Sequence, residues 1–302
     1  MYTPRPQNNA LAAGLILLAA AFIAATTLMA KSLGTDTLGT PLHALQISHG
    51  RFLFAFIALV SIAAVVRPAL SRPTWRLHFA RTGAGWAGVT LMFASVAYIP
   101  LADATAISFL NPVFAMMLAI PLLGEMVGRV RWSAAVLALA GALVLLRPTP
   151  DSFQPAALLA LGAALIMGLE LIFIKKLSGR ENPFQILLVN NMIGLGISTC
   201  AVLPLWQMPT TAQWMVLAGI GVCMAFAQTC FVNAMARADA SFVAPFSYGT
   251  LIFAALYDAV FYGVRPDGIT YLGAAIILTG ALWLALREAR LKKPLPVRPP
   301  VP

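Results

Sequence analysis

Ten apolar runs constrain this chain more than any other feature. They lie at residues 11–30, 45–66, 78–98, 104–121, 130–147, 154–174, 184–204, 212–235, 242–261 and 268–287. Each is close to the ~20 residues that an α-helix needs to cross the hydrocarbon core of a bilayer. Barrel strands would be half as long and would alternate in polarity, which these runs do not. Turn residues stand between the runs, among them Gly34 to Pro41, Arg67 to Pro73, Pro148 to Pro155 and Gly179 to Pro183. Several connections are so short that consecutive helices must be antiparallel neighbours. Composition closes the alternative of a soluble fold: only 10% of the 302 residues are charged and 60% are apolar, against about 25% charged in a soluble domain. The expected fold class is an all-α integral membrane protein of ten transmembrane helices.

The few charges set the orientation. Arg5, Arg67, Arg72, Arg76, Arg81, Arg129, Arg131, Lys175, Lys176, Arg180, Arg237, Arg287, Arg290, Lys292, Lys293 and Arg298 fall on one side of such a bundle. Lys31, Arg147 and Arg265 fall on the other, and Arg51 lies within a span. Lysine and arginine accumulate in cytoplasmic loops, so both termini are expected in the cytoplasm. The net charge of +10 therefore records topology, and no nucleic-acid partner is expected. The first run is too long for the apolar core of a signal peptide and reads as a retained span. Cys200, Cys223 and Cys230 sit in apolar segments without CxxC spacing, and no metal or cofactor is expected. No Walker A sequence is present, so this chain alone is not an ATP-driven pump.

The second half echoes the first. Ala102-Asp103-Ala104-Thr105 returns as Ala238-Asp239-Ala240-Ser241, each followed by an intrahelical proline, Pro112 and Pro245. Ala140-Gly141-Ala142-Leu143 returns as Thr279-Gly280-Ala281-Leu282, and Lys31-Ser32-Leu33-Gly34 resembles Lys176-Leu177-Ser178-Gly179. The unit is five helices, an odd number, so the second copy is inverted relative to the first. Inverted repeats are a secondary-transporter architecture with the binding site near the midplane. The expected divisions are 1–149, 150–288 and a basic, proline-rich cytoplasmic tail at 289–302.

The run from Tyr98 to Ala106, then Asn111-Pro112-Val113-Phe114-Ala115, Leu123-Gly124-Glu125 and Gly141-Ala142-Leu143, resembles the EamA-type drug/metabolite transporter superfamily. The resemblance covers essentially the whole chain and is greatest to YddG-type bacterial amino-acid exporters. It departs from the pattern at Gly263-Val264, which leaves Glu125 without a copy in the second half. What it implies is a multi-pass protein of the bacterial inner membrane that moves small molecules, with no enzymatic activity and no partner beyond cargo and lipid. The expected oligomeric state is a monomer.

Ionisable groups at membrane depth cost about 2.5–3.5 kcal/mol on insertion scales and usually have a purpose. Arg51, which follows His49, offers an anchor for a substrate carboxylate or one half of a fixed ion pair. Glu170 is a gating or coupling candidate that Lys175 and Lys176 can neutralise locally. Asp258 reads as interfacial, and Glu125 as a gating or capping residue. The amides Asn111, Asn190, Asn191, Gln228 and Asn233 either bond between helices or meet a substrate. Trp86, Met92, Phe93, Tyr98, Phe109, Met167 and Tyr248 are candidates to line a cavity. Pro112 and Pro245 interrupt their helices and free backbone groups for a ligand. Gly83, Gly85, Gly88, Gly194 and Gly196 permit close helix approach.

These residues predict a carrier that exports amino acids and related metabolites by alternating access. Uptake or exchange of another small metabolite, vitamin or nucleoside-like, is the alternative within transport. An intramembrane enzyme would need a nucleophile–base or two-carboxylate constellation, and the His–Arg neighbourhood of His49 and Arg51 has no Ser–His or Asp–Asp pairing at helical spacing beside it.

Overall fold

The computed structural model describes residues 8–68, 70–123, 129–146, 154–177, 181–235, 237, 246, 249–264 and 266–291. Among these residues all regular structure is helical. The helices are α1 (Asn9–Gly34), α2 (Ala44–Val66), α3 (Trp75–Val96), α4 (Leu101–Ser108), α5 (Asn111–Leu123), α6 (Arg129–Leu146), α7 (Ala157–Leu177), α8 (Pro183–Val202), α9 (Thr211–Met235), α10 (Gly249–Tyr262) and α11 (Gly268–Leu291).

Local chemistry explains where several of these helices begin. Asn8 accepts a hydrogen bond from the Leu11 N–H at 2.9 Å and starts α1. Asn182 accepts from Phe184 N–H at 3.0 Å, with Pro183 at the first helical position, and starts α8. Both satisfy donors that a helix start leaves unpaired.

Six segments are long and apolar enough to cross a membrane: Ala10–Gly34, Ala44–Val66, Leu101–Leu122, Ala157–Ile174, Phe184–Leu205 and Thr211–Phe231. Gly249–Tyr262 and Gly268–Gly280 are shorter apolar helices. Helix α3 is outside both groups because its first half carries Arg76, His78, Arg81 and Thr82. The last three are buried, so the polarity of α3 points into the bundle. The segment 101–123 is not one continuous helix. It breaks at Phe109 and Leu110, and Pro112 falls in the first turn of α5. There the missing proline N–H leaves no hydrogen bond unmade, so the interruption precedes the proline.

The larger core joins α1, α3, α4, α5, α7, α10 and α11 through Ala24, Met92, Val96, Leu101, Ile107, Val113, Ala160, Ala163, Leu251 and Ile277. Small residues on α7 let backbones approach, which is how helices gain packing energy where lipid is as apolar as leucine. A smaller core gathers Ala30, Leu33, Ile47, Phe93, Leu217 and Ile220. Large apolar side chains such as Val65, Ile252, Val260 and Phe261 point outward, the surface expected of a chain solvated by lipid.

The packing has a paired pattern. Helix α1 lies chiefly along α9, as α7 lies along α3. Helix α1 also lies along α10, as α7 lies along α5, while α2 meets α8 and α6 meets α11. Two glutamine clasps follow the same pattern. Gln46 near the start of α2 donates to the Gln207 carbonyl at 2.6 Å and accepts the Gln207 N–H at 3.2 Å. Gln185 near the start of α8 accepts the Ser71 N–H at 2.6 Å. Each clasp ties one half of the chain to the loop between the second and third helices of the other.

Candidate functional site: a buried charge cluster between α2, α3, α7 and α8

Glu170 of α7 reaches α3 because residue 85 is glycine. A Cβ at Gly85 would stand 2.9 Å from the carboxylate carbon of Glu170. One turn earlier on α3, Arg81 Nε lies 3.5 Å from Glu170 Oε1. At that length the contact is an ion pair without a directed hydrogen bond, and Arg81 Nε has no hydrogen-bond partner. Arg81 Nη1 donates to the Ile186 carbonyl on α8 at 3.2 Å. Arg51 of α2 interacts electrostatically with both Glu170 and Arg81. Arg81, on another helix, therefore pairs with Glu170 directly, and Arg51 adds a second positive charge within electrostatic reach of the same carboxylate. Of the local lysines that the sequence suggests, Lys176 is exposed and the Lys175 side chain lies outside the described residues. Arg81, counted with the cytoplasmic loops on sequence grounds, is only 5% exposed.

The cluster leaves polar atoms unused. Arg51 is 6% exposed, its guanidinium sits 4.6 Å from the centre of the Phe52 ring, and its Nε and Nη1 have no protein partner. Trp86 Nε1, Asn191 Oδ1 and Gln228 Oε1 are also buried without a partner. Buried donors and acceptors are nearly always satisfied, because an unmade hydrogen bond there costs about 1–3 kcal/mol. Three of these four side chains are on α2, α3 and α8, which hydrogen bonds tie together about two turns apart along α3. Thr90 Oγ1 of α3 donates to Ser48 Oγ of α2 at 3.0 Å, and Thr82 Oγ1 of α3 donates to Asn190 Oδ1 of α8 at 3.2 Å. Asn191 Nδ2 donates to the Leu187 carbonyl at 2.8 Å, while its Oδ1 has no protein partner. His49 Nδ1 stands 3.3 Å from Ser198 Oγ.

Two further carboxylate nodes lie toward opposite ends of the bundle. At one end Glu181, just ahead of α8, accepts from Thr74 N–H at 2.7 Å, from His78 Nε2 at 2.8 Å and from Gln185 Nε2 at 2.6 Å. Burial pushes the Glu181 carboxyl up, but these hydrogen bonds outweigh it and hold the group below its ordinary value. At the other end Asp258 of α10 is 1% exposed. Its Oδ1 pairs with Lys31 at the end of α1, and its Oδ2 accepts the Leu101 N–H at 2.8 Å. Asp258 is thus buried within the bundle near the end of its helix. The sequence hides this because its partner lies 227 positions away.

The remaining candidates divide by location. Met92, Phe109 and Met167 pack in or against the larger core and Phe93 in the smaller one. Tyr98 is 73% exposed and points away from the interior, so it does not line a cavity with them. Asn111 is half-buried at the start of α5, and a Cβ on Gly168 of α7 would meet its carbonyl oxygen at 2.8 Å. Glu125, Pro245 and Tyr248 lie outside the described residues. Of the glycines singled out, Gly85, Gly88 and Gly194 are closely packed by Glu170, Met167 and Phe52, while Gly83 and Gly196 face open space. Arg81, Thr82 and the Lys31–Asp258 pair were not legible as site residues. Their one sequence signal is a charge or hydroxyl close to a helix end.

A helical membrane bundle with a polar, incompletely satisfied interior has the kind of interior that membrane transporters use. The chain belongs to the EamA-like transporter family, which matches it over residues 10–147 and again over 154–286. It is similar to a riboflavin transporter of Vibrio cholerae, 32% identical over 227 residues, covering 74% of this chain and 76% of that protein. It is also similar to an S-adenosylmethionine uptake transporter of Rickettsia prowazekii, 26% identical, covering 84% of this chain and 86% of the relative. A pseudopaline exporter of Pseudomonas aeruginosa is 27% identical, covering 72% and 77%. These findings place the chain as a multi-pass protein of the bacterial inner membrane.

Proposed function

We propose that the protein carries a small, uncharged polar heterocycle of the riboflavin class across the inner membrane by alternating access. The observation that carries this reading is the set of unpartnered atoms in the interior: donors on Arg51 and Trp86, acceptors on Asn191 and Gln228. A ring edge that alternates carbonyl oxygens with an N–H offers acceptors to the first pair and a donor to the second. Trp86 adds an aromatic surface for a flat ring. The riboflavin transporter of Vibrio cholerae, at 32% identity, supports the same cargo. Its architecture in this reading is ten spans with both termini cytoplasmic, two inverted repeats at 1–149 and 150–288, and a tail at 289–302. The paired helix contacts and the two glutamine clasps support the repeats.

Export of amino acids is the second reading, and one observation favours it. A zwitterion would place its carboxylate on Arg51 and its ammonium group on the free oxygens of Asn191 and Gln228. Purified protein in liposomes discriminates the two by counterflow. With riboflavin inside, fluorescent or labelled riboflavin should enter, and a panel of unlabelled amino acids outside should not slow it. Riboflavin flux equal to that of empty liposomes, with exchange of an amino acid, overturns the first reading in favour of the second.

A further inference from the structure

The Lys31–Asp258 pair is the strongest feature that the cargo site leaves unused. One carboxylate, fully inside the bundle, gathers three helices: α10 carries it, α1 supplies Lys31, and α4 supplies the Leu101 N–H. Lys31 also lies 4.4 Å from the centre of the Tyr262 ring. Around this node, Asp103 is the charged group that α4 contributes, and it accepts a hydrogen bond from Thr270 Oγ1 of α11 at 2.9 Å. Thus α4 is pinned within its first turn to α10 and α11, two helices of the other half of the chain. A buried ion pair is weak evidence for a stabilising role, because desolvation offsets most of its attraction, and its best-attested use is to select one arrangement over another.

We infer that Asp258 and Lys31 are the latch of the outer gate, closed in this structure and released each time the carrier opens outward. Each half of the latch keeps a stabilising partner when the pair separates. Lys31 lies in the last turn of α1, where the negative end of the helix dipole favours a cation, and separation returns its ammonium group to water. Asp258 retains the charge-assisted hydrogen bond from Leu101. A contact whose partners both have a second resting place can break reversibly without unfolding its surroundings. The Glu181 node at the opposite end differs, because its oxygens are already shared among three donors from α8 and the α3 start. The word "outer" rests on the orientation proposed above, and the latch itself does not.

The test needs no cargo, so it is independent of the proposed substrate. In a variant with Cys200, Cys223 and Cys230 replaced by serine, a reporter Val96→Cys is introduced. Val96 is fully buried in the same apolar cluster as Leu101. A membrane-impermeant maleimide is then applied to right-side-out and to inside-out vesicles. Asp258→Asn, which keeps an oxygen for the Leu101 N–H, and Lys31→Met should each raise the labelling rate about ten- to a hundredfold, the range for losing a charged hydrogen bond. The rise should come from one face only, that of Lys31, and Lys31→Arg should label at the parental rate. A one-sided rise from the cytoplasmic face would keep the latch and reverse the orientation. Unchanged labelling overturns the latch, and so does a rise from both faces, which is the mark of general loosening.

Discussion

Replacing Glu170 by glutamine preserves the shape of the side chain in its slot beside Gly85 and removes one negative charge. The repulsion between Arg81 and Arg51 is then no longer offset by the Glu170 charge. At the 3.5 Å separation from Arg81 and an effective dielectric near 20, the lost attraction is about 5 kcal/mol. Two effects reduce it. Glutamine is cheaper to keep out of water than a carboxylate, and the Glu170 side chain is 20% exposed, so part of the field is screened. The net cost is about 2–4 kcal/mol, around the lower end of what breaking a buried pair usually costs. At about 2 °C per kcal/mol for a chain of this size, the melting temperature of purified protein in detergent should fall by about 4–8 °C. Arg81→Gln should cost a similar amount, and the double variant should cost less than the sum by at least about 1 kcal/mol. Lys176→Gln, at an exposed position on the same helix, should leave the melt unchanged. An unshifted melt for Glu170→Gln, or strict additivity with Arg81→Gln, would refute the Arg81–Glu170 pairing and restore the local lysines as partners of Glu170.

Gly194→Ala puts a methyl group 2.3 Å from carbons of the Phe52 ring, which is 1% exposed. It should destabilise by about 1–3 kcal/mol, whereas Gly196→Ala, facing open space, should melt with the parent. The Glu181 carboxyl is held below its ordinary value in the folded protein. Its stabilisation is therefore complete above the ordinary carboxylate range and is lost as pH falls through the lowered folded value. Melts taken between pH 7 and 3 should show an acid-side loss that Glu181→Gln lessens, and parallel profiles would count against the node. Arg51→Gln should raise the transport KM by about tenfold or more, the scale of one hydrogen bond to a charged group, with Arg51→Lys intermediate. Equal KM values in a counterflow assay would remove Arg51 from the cargo site.

Hydropathy and charge alone determined that this chain is a helical membrane protein, because chain length per span and the shortage of charge leave few other solutions. Sequence also singled out Arg51, Glu170, Trp86 and Asn191, since a polar group in an apolar run is costly wherever it lands. The same logic could not supply their partners. Glu170 and Arg81 are 89 positions apart in number, and Lys31 and Asp258 are separated by 227; local spacing offers only near neighbours such as Lys175 and Lys176. Tyr98 shows the limit from the other side, because an aromatic residue near a helix end carries no mark of the face on which it lies, and packing put it outside. Periodicity also merged α4 and α5 into one run, since the break at Phe109 and Leu110 is made by apolar residues. Which cation pairs with which carboxylate, which end of the bundle is tied by Asp258, and which donors are left free are consequences of helices from distant parts of the chain meeting side by side. Tertiary structure alone decided those, because hydrogen bonds and ion pairs act over a few ångströms of space and not over sequence.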